Sequence, residues 1–197
     1  MSQTPIAAHF EHSLAALERA ARDAMLLAVT EQIAAVIIEA LRSGNKVLLI
    51  GNGGSAADAQ HIAAEIIGRY KKDRSGYAAI ALTTDTSALT AISNDYGFEQ
   101  VFARQVEGLG QPGDVLLAYS TSGQSPNILA ALRKAREKGL VIVGFTGTKG
   151  ESMRSTCDHL FVAPSDDTPV VQQIHMTAGH AICDQVERAM AGETAAR

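Results

Sequence analysis

His61 and Glu65 stand four residues apart, just behind the glycine-rich stretch Gly51-Asn52-Gly53-Gly54-Ser55. That spacing puts both side chains on one helix face. An imidazole beside a carboxylate can move protons as a general acid–base pair. Ahead of the glycines lies Val47-Leu48-Leu49-Ile50, a short apolar run that suits a strand covered on both faces. The order is therefore strand, glycine loop, helix. Gly51, Gly53 and Gly54 permit positive φ and a close approach of backbone to a ligand. Ser55 is expected to cap the helix and offer a hydroxyl. Free N–H groups at a helix start attract anions, and a phosphate is the natural guest.

Gly51-x-Gly53-x-x-Ala56 also matches a dinucleotide fingerprint. The acidic residue that should follow about 20 positions later is missing, and Asp85 comes too late. No Gly-Lys-Ser/Thr ending marks a nucleoside-triphosphate loop. The bland alternative is a tight turn followed by a solvated His and Glu.

A second cluster is Ser120-Thr121-Ser122-Gly123-Gln124-Ser125, followed by Pro126. It follows a strand and opens a helix, where ligands bind in open α/β sheets. Its hydroxyls and the helix-start N–H groups suit a phosphate monoester better than the first loop does. Neither loop holds a Lys or Arg, so neutral donors and dipoles would hold the anion. The first loop is then left for sugar hydroxyls or the carbonyl end. Gln172, His175 and His180 lie further on in a mostly apolar helix. Spacing does not choose between the two histidines, and either can be a core histidine bonded to backbone. His61, Glu65, Gln172 and His180 together offer donors for Zn²⁺, although a Gln ligand is uncommon and spacing alone leaves that set open.

The elements that must position these residues follow from periodicity. The 197 residues suffice for one substantial domain, expected as helices over 1–45, a core over 46–190 and a frayed tail over 191–197. Two helices are expected before Gly44, from Phe10, Leu14, Leu17 and Ala21 and from Ile33, Val36, Ile37, Ala40 and Leu41. Strands are expected at Val47–Ile50, Tyr77–Leu82, Val115–Tyr119, Leu140–Thr146 and Leu160–Val162. Helices over about 55–70, 87–93, 98–109, 125–138, 151–155 and 168–190 alternate with them, and Asn94-Asp95-Tyr96-Gly97 reads as a turn between two of them. Alternation of this kind means a parallel sheet with helices on both faces.

The net charge of −4, the lack of a basic cluster and the absence of Trp argue against a nucleic-acid surface. Cys157 and Cys183 make no disulfide framework and suit a reducing cytoplasm. No leader and no uninterrupted apolar run of membrane-spanning length is read, so the protein is expected to be soluble, cytoplasmic and without a membrane partner.

Taken together, these residues resemble the sugar isomerase (SIS) domain and, within it, the phosphoheptose isomerases. The likeness spans nearly the whole chain. It rests on Gly51 to His61, Ala81-Leu82-Thr83-Thr84-Asp85, Asn94-Asp95-Tyr96, Ser120 to Asn127 and Gln172-Gln173-Ile174-His175. Gln173 departs from the pattern, where a Glu is expected beside the site Gln.

The resemblance implies an α/β fold, a three-layer αβα sandwich around a five-stranded parallel sheet with an N-terminal helical pair. It also implies a homotetramer with sites at subunit interfaces, and a bound zinc. The implied acid–base pair is Glu65 and His180, and the implied metal set is His61, Glu65, Gln172 and His180. Substrate contacts would be Asn52, Gly53, Gly54, Ser55, Glu65, Asn94, Asp95, Ser120, Thr121, Ser122, Ser125 and Gln172. The implied substrate is a phosphorylated seven-carbon sugar, sedoheptulose 7-phosphate, converted to an aldose phosphate for heptose biosynthesis. Such a ketose–aldose exchange through an enediol needs a base at carbon, an acid at oxygen and an anchor for the phosphate, but no redox cofactor. The rival reading is a non-catalytic SIS protein that binds the replication initiator. Retention of His61, Glu65 and His180 together favours the enzyme.

Overall fold

A computed structural model describes residues 4–192. Residues 193–197, most of the expected frayed tail, lie outside the described residues. Thr4 caps α1 (Pro5–Arg22), its Oγ1 accepting from the Ala7 N–H. Asp23 ends that helix and starts α2 (Ala24–Arg42), its carboxylate accepting from the N–H groups of Met25 and Leu26. The core then runs β1 (Val47–Gly51), α3 (Gly54–Ile67), β2 (Ala79–Ala81), α4 (Thr86–Tyr96) and α5 (Val101–Leu109). It continues with β3 (Val115–Tyr119), α6 (Pro126–Glu137), β4 (Val141–Gly147), β5 (His159–Ala163) and α7 (Thr168–Met190).

All neighbouring strands pair in parallel, in the order β2-β1-β3-β4-β5. Strand side chains alternate between two cores. Val47, Leu49, Val115, Leu117, Tyr119, Val143, Phe145 and Phe161 pack with α1, α2, α3 and α7. Leu48, Ile50, Leu116, Ala118, Ile142 and Leu160 pack on the other face with α5 and α6. The result is the expected three-layer sandwich, with the N-terminal helical pair on the α3–α7 side. Strands β1 and β3 are buried on both faces, which is why they read as continuous apolar runs.

Three local expectations are corrected. Ser55 does not cap α3: the cap is Gly53, with φ 54° and no side-chain bond, and Ser55 lies buried in the first turn. Asn94, Asp95 and Tyr96 do not form a turn but complete α4, which stops at Gly97 with φ 84°. The second strand shortens to three residues at the sheet edge, where it has one partner strand.

One described helix, α2, is long and apolar enough to cross a membrane by length and composition. One side of it, with Ile33, Ala34 and Ile37, is fully buried against the sheet and α7.

Candidate functional site

Strands β1 and β3 are neighbours, with Gly51 opposite Tyr119 at their carboxyl ends. The loops that follow them therefore meet over one edge of the sheet. Between them lies a cleft of about 270 Å³ bounded by Asn52, Gly53, Gly54, Ser55, Tyr119, Ser120, Thr121, Ser125, Thr168 and Gln172. Ser120 Oγ and Ser125 Oγ are 3.2 Å apart and share a hydrogen bond. Gln172 Nε2 donates to Ser55 Oγ at 3.5 Å, linking α7 to α3 across the cleft.

Glycine is required here largely for space. Of the three glycines read as permitting positive φ, Gly53 adopts it. A Cβ on Gly54 would stand 2.5 Å from Gln172 Nε2, and one on Gly51 would stand 2.3 Å from the Ser55 carbonyl oxygen.

Further along the same two helices, His61, Glu65 and His180 come together. His61 Nε2 is 3.2 Å from Glu65 Oε1 and 3.1 Å from His180 Nε2. One donor atom from each residue lies within 4.8 Å of the others. Two imidazoles and a carboxylate are zinc donors, and three protein ligands with an open position suit a catalytic site. The donor set thus fits a divalent metal. Gln172 stands eight residues before His180, with its amide on Ser55.

His180 is held from its other side. The Tyr70 ring stacks on it, with centroids 5.7 Å apart and planes 26° apart. Tyr70 is in turn fixed by Glu187, whose carboxylate accepts from the N–H groups of Tyr70, Lys71 and Lys72 and pairs with Arg74 at 3.1 Å. Burial alone would push the Glu187 carboxyl up. The three backbone N–H bonds and Arg74 outweigh burial and hold it below the usual range.

Asp58, one turn before His61, has a buried Oδ2 with no partner among the described residues. Burial pushes its carboxyl up to about 6, against the opposing pull of His61. Neither Tyr70, Asp58 nor Thr168 was singled out by sequence reasoning.

The two histidines left open by spacing now separate. His180 joins the cluster, whereas His175 is fully buried among Tyr119, Phe145 and Phe161. Its Nε2–H donates to the Thr146 carbonyl at 3.1 Å, because a carbonyl can only accept. Burial lowers its pKa from 6.5 to about 4. An imidazole with a depressed pKa stabilises the fold only while neutral. That contribution is complete above about pH 6.5 and disappears as pH falls through about 4. The shift corresponds to roughly 3 kcal/mol. Urea unfolding at pH 7 and pH 4.5 should show this loss, and His175→Gln should flatten it.

Of the expected contacts, Ser122 is exposed and lies outside the residues bounding the cleft. Asn94 and Asp95 lie exposed near the end of α4, hydrogen-bonded to each other at 2.8 Å. Tyr96 and Phe98 beside them are 56% and 59% exposed.

Comparison with known proteins places the chain in a family. The model of the SIS domain matches residues 9–147. A phosphoheptose isomerase of Bradyrhizobium sp. (strain ORS 278) is 68% identical, over 94% of this chain and 93% of its own length. One from Burkholderia pseudomallei (strain 1710b) is 56% identical, over 87% of each chain. Among solved structures, phosphoheptose isomerase GmhA from Neisseria gonorrhoeae superposes with a TM-score of 0.86 at 43% identity, over 92% of this chain and 96% of that one. A phosphoheptose isomerase from Francisella tularensis gives 0.89 at 35% identity, over 93% and 96%.

Proposed function

We propose a reaction on one premise: the chain belongs to the SIS-domain family and, within it, to the phosphoheptose isomerases. It is an isomerase that interconverts sedoheptulose 7-phosphate and the aldose D-glycero-D-manno-heptose 7-phosphate for heptose biosynthesis. We place the product in the lipopolysaccharide core or a related glycan.

The observation that carries the site assignment is the meeting of two loops and an acid–base cluster along one pair of helices. Ser120, Thr121 and Ser125 take the phosphate with hydroxyls and helix-start N–H groups, while the exposed Ser122 accepts from the Gln124 N–H. Asn52, Gly53, Gly54, Ser55 and Gln172 line the path of the sugar. The backbone of α3 rises roughly 10 Å from Gly54 to His61. A phosphate at one end and a carbonyl at the other end of a long carbon chain suit such a separation.

Glu65 removes the carbon-bound proton and His180 delivers one to the oxygen, giving the enediol. Glu65 then returns its proton to C2 while His180 takes the proton of the C1 hydroxyl, which gives the aldose and restores both groups. The Tyr70 ring keeps the His180 imidazole from turning away. His61, Glu65, Gln172 and His180 would hold one Zn²⁺, which when bound supplies a Lewis acid for the carbonyl.

Asn94 and Asp95 are assigned to the site of a neighbouring subunit in a homotetramer. Their exposure next to Tyr96 and Phe98 supports this, as do Ile6, Phe10 and Leu14, exposed on one face of α1. The whole chain is read as one domain working in the cytoplasm, where Cys157 and Cys183 stay as the free thiols they are here.

The test is incubation with sedoheptulose 7-phosphate and detection of the aldoheptose phosphate. Chelation should abolish turnover, and added zinc should restore it. No product from the zinc-loaded protein would favour the rival, a SIS protein that only binds a partner such as the replication initiator. Full activity after complete metal removal would overturn the metal assignment alone.

A further inference from the structure

The two loops of the cleft are joined by a pair of side-chain amides. Asn52 Nδ2 donates to Asn127 Oδ1 at 2.9 Å, and Asn127 Nδ2 donates back to Asn52 Oδ1 at 2.8 Å. Asn52 belongs to the first loop, and Asn127 lies in the first turn of α6, behind the second loop. Asn127 is 3% exposed, so its amide needs partners within the protein.

The backbone sets the polarity of this pair. Ile128 N–H is one of the donors that a helix start leaves without an intrahelical acceptor. It donates to Asn127 Oδ1 at 3.0 Å, so both lone pairs of that oxygen are used. Asn127 must therefore present its oxygen to the Asn52 nitrogen and its nitrogen to the Asn52 oxygen. Turning over the Asn52 amide alone would set oxygen against oxygen. Asn52 is left with one N–H and one lone pair, on a fixed heading at the wall of the cleft.

The rest of the first loop is held through its backbone, the Ala56 N–H donating to the Asn52 and Gly53 carbonyls and the Ala57 N–H to that of Gly53. Gly53 caps α3 at φ 54° without a side-chain bond, and Gly54 has no side chain. Asn52 is the side chain of this loop that crosses to α6.

We propose that Asn127 is a positioning residue for the reaction: through Asn52 it holds the glycine loop against the Ser120–Ser125 loop at the spacing a phosphate monoester requires. Asn127 itself is not among the residues that bound the cleft. The inference rests on the reading that the cleft holds phosphate, and it assigns the relative placement of the two loops to one amide pair.

The test uses Asn52→Ala, Asn127→Ala and the double variant in the full chain. Three quantities are read: the Kd of inorganic phosphate by calorimetry, and KM and kcat for sedoheptulose 7-phosphate. Each single change should raise the phosphate Kd and KM together by about tenfold, the scale of a hydrogen bond lost in a partly buried site. kcat should hold within about threefold, because binding in the ground and transition states is weakened alike. The double variant should be no worse than the worse single one, since each change already breaks the pair. Should Asn127→Ala fail to fold, Asn127→Ser keeps an oxygen for the Ile128 N–H while releasing Asn52, and it should show the same split. Wild-type phosphate affinity in the single variants, or losses that add in the double, would overturn the inference and leave the cleft assignment standing. A wild-type protein that binds no phosphate would overturn both.

Discussion

Glu65→Gln should lower kcat by about 10²- to 10⁴-fold, the usual worth of a positioned proton-transfer group. The amide matches the carboxylate in shape but cannot accept the carbon-bound proton. KM should move little, because the proposed phosphate anchors, Ser120, Thr121 and Ser125, bound the cleft and Glu65 does not. His180→Gln should fall into the same range for a different reason. The amide keeps a polar atom near His61 but cannot exchange a proton with the sugar oxygen.

Glu65 lies 3.2 Å from His61 and belongs to the metal-fitting cluster, so its loss can act through the metal as well as through the proton. A ligated carboxylate is the poorer base. Bound zinc measured beside turnover separates the two. A variant that keeps its zinc and loses turnover has lost the base. A variant that loses both has lost a ligand. Turnover near the wild-type rate in either variant would sink that residue's assignment, and the experiment is a steady-state assay with metal analysis.

Strands β1 and β3 were legible because burial on both faces leaves unbroken apolar runs. Val115–Tyr119 matches its expected bounds, and α7 runs over the expected 168–190. Errors arose where a local signal competed with packing. Asn94-Asp95 reads as a turn, yet Asp85 caps α4 at its start, Leu89 anchors it to the core, and the helix runs on to Gly97. Ser55 has the chemistry of a cap, but Gly53 supplies the positive φ at that position.

Within the site, the pairing of His61 with Glu65 was legible from spacing on one helix. His180 over His175 was not, because the rotation of α7 about its axis depends on which residues fill the aromatic core around His175. The Tyr70–His180 stack and the Asn52–Asn127 pair join residues 110 and 75 positions apart. No local pattern announces either contact. Both supply orientation, which a sequence pattern records less well than it records the donors themselves.

Gly51→Ala should be the most damaging single methyl group in the site. Gly51 closes β1 opposite Tyr119, and its φ is not in the left-handed region, so backbone strain is not the issue. The added Cβ would meet the Ser55 carbonyl oxygen at 2.3 Å, its carbon at 2.6 Å and the Ala56 nitrogen at 3.1 Å. All three are backbone atoms of the first turn of α3, so no side chain can swing aside. The turn must retreat, and with it the helix start that faces the cleft.

Overpacking against backbone costs about 3 kcal/mol or more, which lowers Tm by roughly 6–12 °C in a chain of this size. Phosphate binding should be lost in the fraction that still folds. Gly44→Ala is the control, since it has open space around it but φ +80°. It should cost only the conformational strain, of order 1 kcal/mol, and leave phosphate affinity unchanged. Thermal melting with calorimetric phosphate titration of both variants decides the matter. A Gly51→Ala protein with wild-type Tm and phosphate affinity would mean that the close strand-to-helix turn is not what places the first loop, and the Asn52–Asn127 pair would then have to place it alone.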